Sequence, residues 1–126
     1  MKYNEIGKTG MYVSNLSFGA SSLGGVFHEA DEARSMEAVF AAVENGINFI
    51  DVSPYYGHYK AETVLGKALK EIPRNKYYLS TKVGRYGENG VNIWNYSGYL
   101  QPIITQYFID NKSEIWLLFL IAHSKR

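Results

Sequence analysis

The stretch INFIDVSPYYG, residues 47–57, decides the fold that this sequence encodes. Its first four residues are largely apolar, which is typical of a buried strand. The run ends at a carboxylate, Asp51, and the loop that follows carries Tyr56. A second run of similar character, YYLST at residues 77–81, ends at Lys82. The sequence therefore predicts two strands that carry an acidic and a basic side chain at their carboxyl ends.

Helical patterns accompany these strands. Residues 31–44 and 61–72 carry apolar side chains at the spacing of a helix that buries one face. Asp31 is expected to cap the first helix, Asn45-Gly46 to end it, and Pro73 to end the second. The apolar positions are Met36, Val39, Phe40 and Val43 in the first helix and Ala61, Val64, Leu65, Ala68, Leu69 and Ile72 in the second. Alternating strands and helices predict an α/β fold with parallel strands and right-handed crossovers.

The segment before the first helix predicts further strands. Residues 2–14 are interpreted as a β-hairpin around the turn-rich residues 7–10. Residues 16–18 predict a short buried strand, and the small residues 19–25 predict a loop after it. The first strand of the parallel sheet is therefore expected to end at this loop.

The strand ends bring three reactive side chains to one edge of the sheet, where functional groups gather in parallel α/β folds. Because neighbouring strands lie about 4.8 Å apart, a salt bridge between Asp51 and Lys82 is sterically easy. Tyr56 follows closely enough to reach the same edge. A free tyrosine has a pKa of about 10, and a nearby ammonium group lowers it by stabilising phenolate. The pattern predicts a proton-transfer site, with ordinary ion-pair or surface roles as the alternative.

The composition excludes several classes of function. The 126 residues carry a net charge of +1, and no basic stripe favours nucleic acid or anionic lipid. The longest apolar run, residues 115–122, is far shorter than the ~20 residues of a membrane helix. The sequence has no cysteine, which excludes disulfides and cysteine-ligated zinc. It also has no His-x-x-x-His pair, the pattern that would indicate another kind of metal site. We expect a cytoplasmic chain with no nucleic-acid, membrane or metal partner.

The segment around Tyr56 resembles the signature of the aldo-keto reductases. In that family an Asp is followed after four residues by Tyr-Gly, and then by Glu and Gly in the next helix. Residues 51–66, DVSPYYGHYKAETVLG, are similar to this pattern, and Ser80-Thr81-Lys82 resembles the lysine segment of the family's third strand.

Further stretches extend the resemblance over residues 1–87. Residues 7–14 resemble the family's N-terminal hairpin, and residues 16–20 its first strand. Within the family, GGVF at 24–27 and KVGRY at 82–86 look most like the branch of the L-galactose and aldose dehydrogenases.

The resemblance implies a fold, a cofactor and roles for individual residues. The family fold is a (β/α)8 TIM barrel that binds NAD or NADP without a Rossmann domain, and its substrates are aldoses or other small carbonyl compounds. By this resemblance Tyr56 is the acid/base, Lys82 modulates its pKa, and Asp51 is the partner of the lysine. The residues implied to bind the cofactor are Gly19, Ala20 and Ser21, in the loop after strand 1, and Asp51.

The sequence departs from the family after the third strand. A complete barrel needs ~250 residues. The family's strand-4 histidine has no clear counterpart, because the expected spacing from the lysine reaches Phe119 and His123 lies four residues further. We expect residues 1–87 to form the N-terminal part of a reductase barrel, with a hairpin and about three β/α units, and residues 88–126 to be a divergent tail. Within that tail, residues 88–92 are interpreted as a loop.

Three functional interpretations stay open at this point. The first is an NAD(P)-dependent oxidoreductase that transfers hydride between nicotinamide and an aldose or another small carbonyl or alcohol. The second is a non-catalytic half-barrel that binds or modulates a full-length relative. The third is a truncated product without a function. An incomplete barrel also exposes sheet edges, which favours self-association.

Overall fold

The structure, a computed structural model, describes residues 1–82, 84–88 and 91–95. Its strands are β1 (Tyr3–Glu5), β2 (Tyr12–Ser14), β3 (Phe18–Gly19), β4 (Phe49–Asp51), β5 (Tyr78–Ser80), β6 (Gly84–Glu88) and β7 (Val91–Asn95). Its α-helices are α1 (Glu32–Glu44) and α2 (Lys60–Lys70), and short 3₁₀ helices cover Ala20–Gly24 and Arg74–Lys76.

A three-stranded parallel sheet forms the centre of the described chain. Strands β3, β4 and β5 are neighbours in that order, with α1 and α2 as the two crossovers. The register places Gly19 beside Asp51 and Asp51 beside Ser80, so the three strands end level with one another. The predicted α/β alternation is confirmed. The described residues form part of a TIM barrel and do not close it.

Both helices bury the faces that their apolar spacing predicts. Val39 of α1 is fully buried, and its predicted neighbours on the stripe pack against the core. The first five predicted positions of α2 are buried, and Ile72 packs beside them. Asp31 caps α1, because its side chain accepts a hydrogen bond from the amide of Arg34 at 2.9 Å. After α1, Gly46 has a φ of +89°, which ends the helix as predicted.

The N-terminal hairpin β1–β2 is also confirmed, and it lies at the end of the sheet opposite the strand ends discussed below. The amide of Ser14 donates to the Asn48 side chain at 2.7 Å, and the Asn48 amide donates to the Ser14 hydroxyl at 3.1 Å. Asn48 directly precedes β4, so these contacts fix the hairpin to the start of that strand. The carboxyl ends of the strands are left open for a site.

Three segments differ from the sequence-based expectation. Residues 16–18, expected to form a short buried strand, contribute only Phe18 to β3, and Leu16 is exposed. Residues 20–24, expected to be loop, form one short 3₁₀ helix against α2. Residues 88–92, also expected to be loop, contain the end of β6 and the start of β7, which pair antiparallel. The loop interpretation is wrong for Glu88, Val91 and Asn92, because the antiparallel ladder includes them. The predicted segments 99–109 and 115–122 lie outside the described residues.

Neither α1 nor α2 combines the length and the apolar character that a membrane-crossing helix requires.

Candidate active site

An ion pair joins the ends of β4 and β5. The ammonium group of Lys82 donates to Asp51 Oδ1 at 2.5 Å and to the backbone carbonyl of Val52 at 3.1 Å. The hydroxyl of Ser80 donates to the other carboxylate oxygen of Asp51 at 3.1 Å. Asp51 and Lys82 retain 29% and 27% side-chain exposure, respectively. The salt bridge predicted from the strand ends is therefore present, and it is accessible from one side.

Tyr56 lies against the same ammonium group. Lys82 Nζ is 5.1 Å from the centroid of the Tyr56 ring, within the range of a cation–π contact. The ring packs partly on the core that is formed by residues such as Leu23 and Val52. Asp51, Tyr56 and Lys82 are thus brought together at one edge of the sheet, where the Lys82 ammonium group pairs with the carboxylate and lies over the Tyr56 ring.

A strained loop holds Tyr56 in this position. Its amide donates to the carbonyl of Ser53 at 3.0 Å, and its own carbonyl accepts from Ala61 at the start of α2. The next three residues, Gly57, His58 and Tyr59, have φ values of +61°, +49° and +70°. Two non-glycine residues in the left-handed region store strain of about 1–3 kcal/mol each. Such strain persists only where the surrounding contacts fix the loop.

This loop packs so closely on the 3₁₀ helix Ala20–Gly24 that the contact leaves no room for a side chain. A Cβ atom on Gly57 would lie only 2.1 Å from the carbonyl oxygen of Gly24, and the φ of Gly57 is positive. We expect Gly57→Ala to lower the free energy of unfolding by about 2–4 kcal/mol, through overlap and backbone strain together. Gly66→Ala is the matched control, since a Cβ there meets nothing within 4 Å and α2 should gain roughly 0.5–1 kcal/mol. Urea titrations of both variants measure the difference, and equal midpoints would contradict the close packing.

Glu62 is a charged residue of this region whose placement the sequence did not predict. It lies in the first turn of α2, its side chain is fully buried, and its Oε1 accepts a hydrogen bond from the Thr81 hydroxyl at 2.7 Å. Burial raises the pKa of Glu62 to about 7, and the Thr81 hydrogen bond and the charge of Lys82 oppose this rise. Within the described chain its second oxygen has no hydrogen-bond partner. The motif resemblance includes this Glu, but only the fold shows that it lies against Thr81.

Arg85 stacks beside the site and was also missed. Its guanidinium carbon is 3.6 Å from the centroid of the Tyr55 ring and 5.4 Å from that of Trp94. The contact joins the loop that carries Tyr56 to the hairpin β6–β7. It depends on that hairpin, which the sequence interpretation did not include.

The predicted cofactor loop borders the ion pair. Gly19 is the register neighbour of Asp51, and a Cβ atom on Gly19 would meet nothing within 4 Å. Ala20 is fully buried, so it can offer only its backbone, whereas Ser21 is partly exposed. Gly19 therefore leaves open space beside the Asp51 carboxylate, where a cofactor could bind. The residues that would hold it are Gly19, Ala20, Ser21 and Asp51.

The histidines do not join this group. His28 and His58 are exposed, and Phe119 and His123 lie outside the described residues. Among residues 1–82, 84–88 and 91–95, no group of three or more acidic, histidine or cysteine side chains could hold a metal ion.

Comparison with known proteins identifies the family to which this fold and these residues belong. Residues 15–106 match the model of the aldo/keto reductase family. The chain is a member of that family.

The chain is similar to several individual members of the family. The chain is 48% identical over 85 residues to L-galactose dehydrogenase from Arabidopsis thaliana, which covers 66% of this chain and 27% of that protein. Among solved structures, it is similar to the holo form of an aldo-keto reductase from Bacillus halodurans, with a TM-score of 0.64, 36% identity and coverage of 75% and 30%. It is also similar to an aldo-keto reductase from Klebsiella pneumoniae in complex with NADPH, with a TM-score of 0.51, 28% identity and coverage of 57% and 24%. The chain therefore spans about a quarter to a third of the length of these relatives.

Proposed function

We propose that the chain carries the proton-transfer half of an NAD(P)-dependent aldo-keto reductase site and acts as an oxidoreductase. The observation that carries this proposal is the position of Lys82, whose ammonium group contacts both the carboxylate of Asp51 and the ring of Tyr56. Membership of the aldo/keto reductase family supports it. The proposed catalytic residues are Tyr56, Lys82 and Asp51.

In the proposed reaction each of these residues has its own step in proton transfer. Tyr56 donates its hydroxyl proton to the carbonyl oxygen of a substrate, and it removes that proton when an alcohol is oxidised. The ammonium group of Lys82 stabilises the phenolate that remains, because opposite charges attract across the contact. Asp51 fixes this ammonium group through the ion pair. Positioned acid–base catalysis of this kind contributes about 10²–10⁴ in rate.

The cofactor supplies the other half of the chemistry. A bound nicotinamide contributes hydride transfer to or from the substrate carbon. The chain's part would be to present Gly19, Ser21 and Asp51 at the edge of the sheet, while the buried Ala20 would offer only its backbone. The similarity to the Klebsiella aldo-keto reductase in complex with NADPH supports a nicotinamide cofactor.

The substrate is proposed to be an aldose or another small carbonyl or alcohol. The similarity to a protein named L-galactose dehydrogenase supports a sugar. We further propose that the protein works in the cytoplasm, that residues 1–87 are the barrel portion, and that residues 88–126 diverge from it.

Two measurements test the proposed function. Titration of the purified chain with NADPH should quench or shift the nucleotide fluorescence, and addition of an aldose or a small aldehyde should oxidise the bound NADPH. The proposal would be overturned if the folded chain binds neither NADPH nor NADH and oxidises neither of them.

A second candidate follows from the edge of the sheet. Within the described residues β3 pairs only with β4, so its other side has no strand partner among them. An edge of this kind can add a strand from a second chain. The chain would then bind a full-length aldo-keto reductase or a second copy of itself. Size-exclusion chromatography with such a reductase tests this candidate, and elution as a separate monomer at every concentration would contradict it.

A further inference from the structure

The residues at the end of β5 point alternately to two sides. Ser80 and Lys82 both reach Asp51 on β4, whereas Thr81, between them, reaches Glu62 on α2. This alternation is the two-residue period of an extended strand. The segment that presents Lys82 is therefore held from the sheet side by Asp51 and from the helix side by Glu62.

The helix-side contact is fully buried. The side chains of Glu62 and Thr81 are both inaccessible to solvent, and the hydrogen bond between them is 2.7 Å long. The second oxygen of Glu62 has no hydrogen-bond partner among the described residues. A buried carboxyl group with one unpaired oxygen is costly to ionise. Ionisation of Glu62 in the folded chain therefore carries an energetic penalty.

Few charges bear on Glu62 from the elements around it. Lys82, at the end of β5, attracts its carboxylate, and Asp51 on β4 pairs with that same lysine. The 3₁₀ helix Ala20–Gly24 that packs on α2 carries no charge. On the α1 side, Glu32 pairs with Lys67 at the exposed surface.

We propose that Glu62 is a positioning residue for Lys82: through Thr81 it fixes the strand end that carries the lysine, and its charge is coupled to the Asp51–Lys82 pair. Its relevance to catalysis rests on the proposed function. When Glu62 is neutral, Lys82 has one carboxylate neighbour, and when Glu62 ionises, the ammonium group has two. The protonation state of Glu62 on α2 thereby affects the ammonium group of Lys82, which faces Tyr56.

Carboxyl ¹³C NMR of the full chain tests this coupling without cofactor or turnover. In the wild type the Glu62 signal should titrate with a midpoint near 7. Lys82→Met removes the attracting charge, so the midpoint should rise by about half a pH unit or more. Lys60→Met is the matched control, because Lys60 lies on the same helix but is exposed and should leave the midpoint unchanged.

A second readout follows the lysine itself. Coupling between two sites is reciprocal, so the Lys82 side-chain signals should show an inflection at the pH where Glu62 titrates. Glu62→Gln should remove that inflection, while it keeps the acceptor for Thr81. An unmoved Glu62 midpoint in Lys82→Met, or an inflection that persists in Glu62→Gln, would overturn the proposal. Because no step needs NADPH, these outcomes are distinct from a failure of the proposed oxidoreductase function.

Discussion

Replacing Tyr56 with phenylalanine is expected to lower the rate of NADPH-dependent carbonyl reduction by about 10²–10⁴ while the chain stays folded. The variant lacks only the hydroxyl group that is proposed to donate the proton. Its ring can still pack on the core and lie over Lys82, as the tyrosine ring does at 5.1 Å. The measurement is the initial rate of NADPH oxidation, with circular dichroism to establish the fold.

Tyr55→Phe is the matched control for this loss. Tyr55 is adjacent in the same loop, and its ring lies under Arg85 at 3.6 Å, a contact that phenylalanine preserves. We expect this variant to keep the wild-type rate. If both variants lose activity equally, the effect comes from the loop and not from the Tyr56 hydroxyl.

Replacing Glu62 with glutamine is expected to remove a large dependence of stability on pH. The folded pKa of Glu62 is about 7, and the ordinary value is 4.5. Since the pKa is raised on folding, the native chain binds more protons than the unfolded chain between these values, and stability falls as pH rises through this window. The full loss is on the order of 3 kcal/mol, reached above pH 7.

Glutamine cannot ionise, and it still offers an oxygen to Thr81. Glu62→Gln should therefore be about 3 kcal/mol more stable than the wild type at pH 8 and nearly equal to it at pH 4.5. Urea titrations across this range measure the difference. Glu37→Gln, on the exposed face of α1, should follow the wild-type profile. Parallel profiles for Glu62→Gln and the wild type would show that Glu62 does not ionise against a burial penalty.

The sequence predicts the parts of the fold that depend on local pattern. Apolar spacing predicts both helices, and the rule that strand ends meet at one edge predicts the ion pair between Asp51 and Lys82. The pair could be predicted because β4 and β5 are joined by a single crossover helix, which leaves them as neighbours. The catalytic roles of these residues remain predictions.

The parts that depend on tertiary direction could not be predicted. A glutamate in the first turn of a helix usually faces solvent, where its negative charge interacts favourably with the helix dipole. Glu62 lies against Thr81, whose side chain points toward α2 and not toward Asp51. That direction is known only once the register of the strand is known. For the hairpin β6–β7, the Asn89-Gly90 dipeptide was an available signal, because such pairs favour tight turns between strands.

The central claim is that Asp51, Lys82 and Tyr56 act as one proton-transfer unit, and a double-mutant cycle in NADPH oxidation tests it most directly. Rates are compared for Tyr56→Phe, Lys82→Met and the double variant. Residues that act as a unit give strongly non-additive losses. We expect the double variant to be about as slow as Tyr56→Phe alone. Losses that multiply would show that the lysine and the tyrosine act independently and not as one unit.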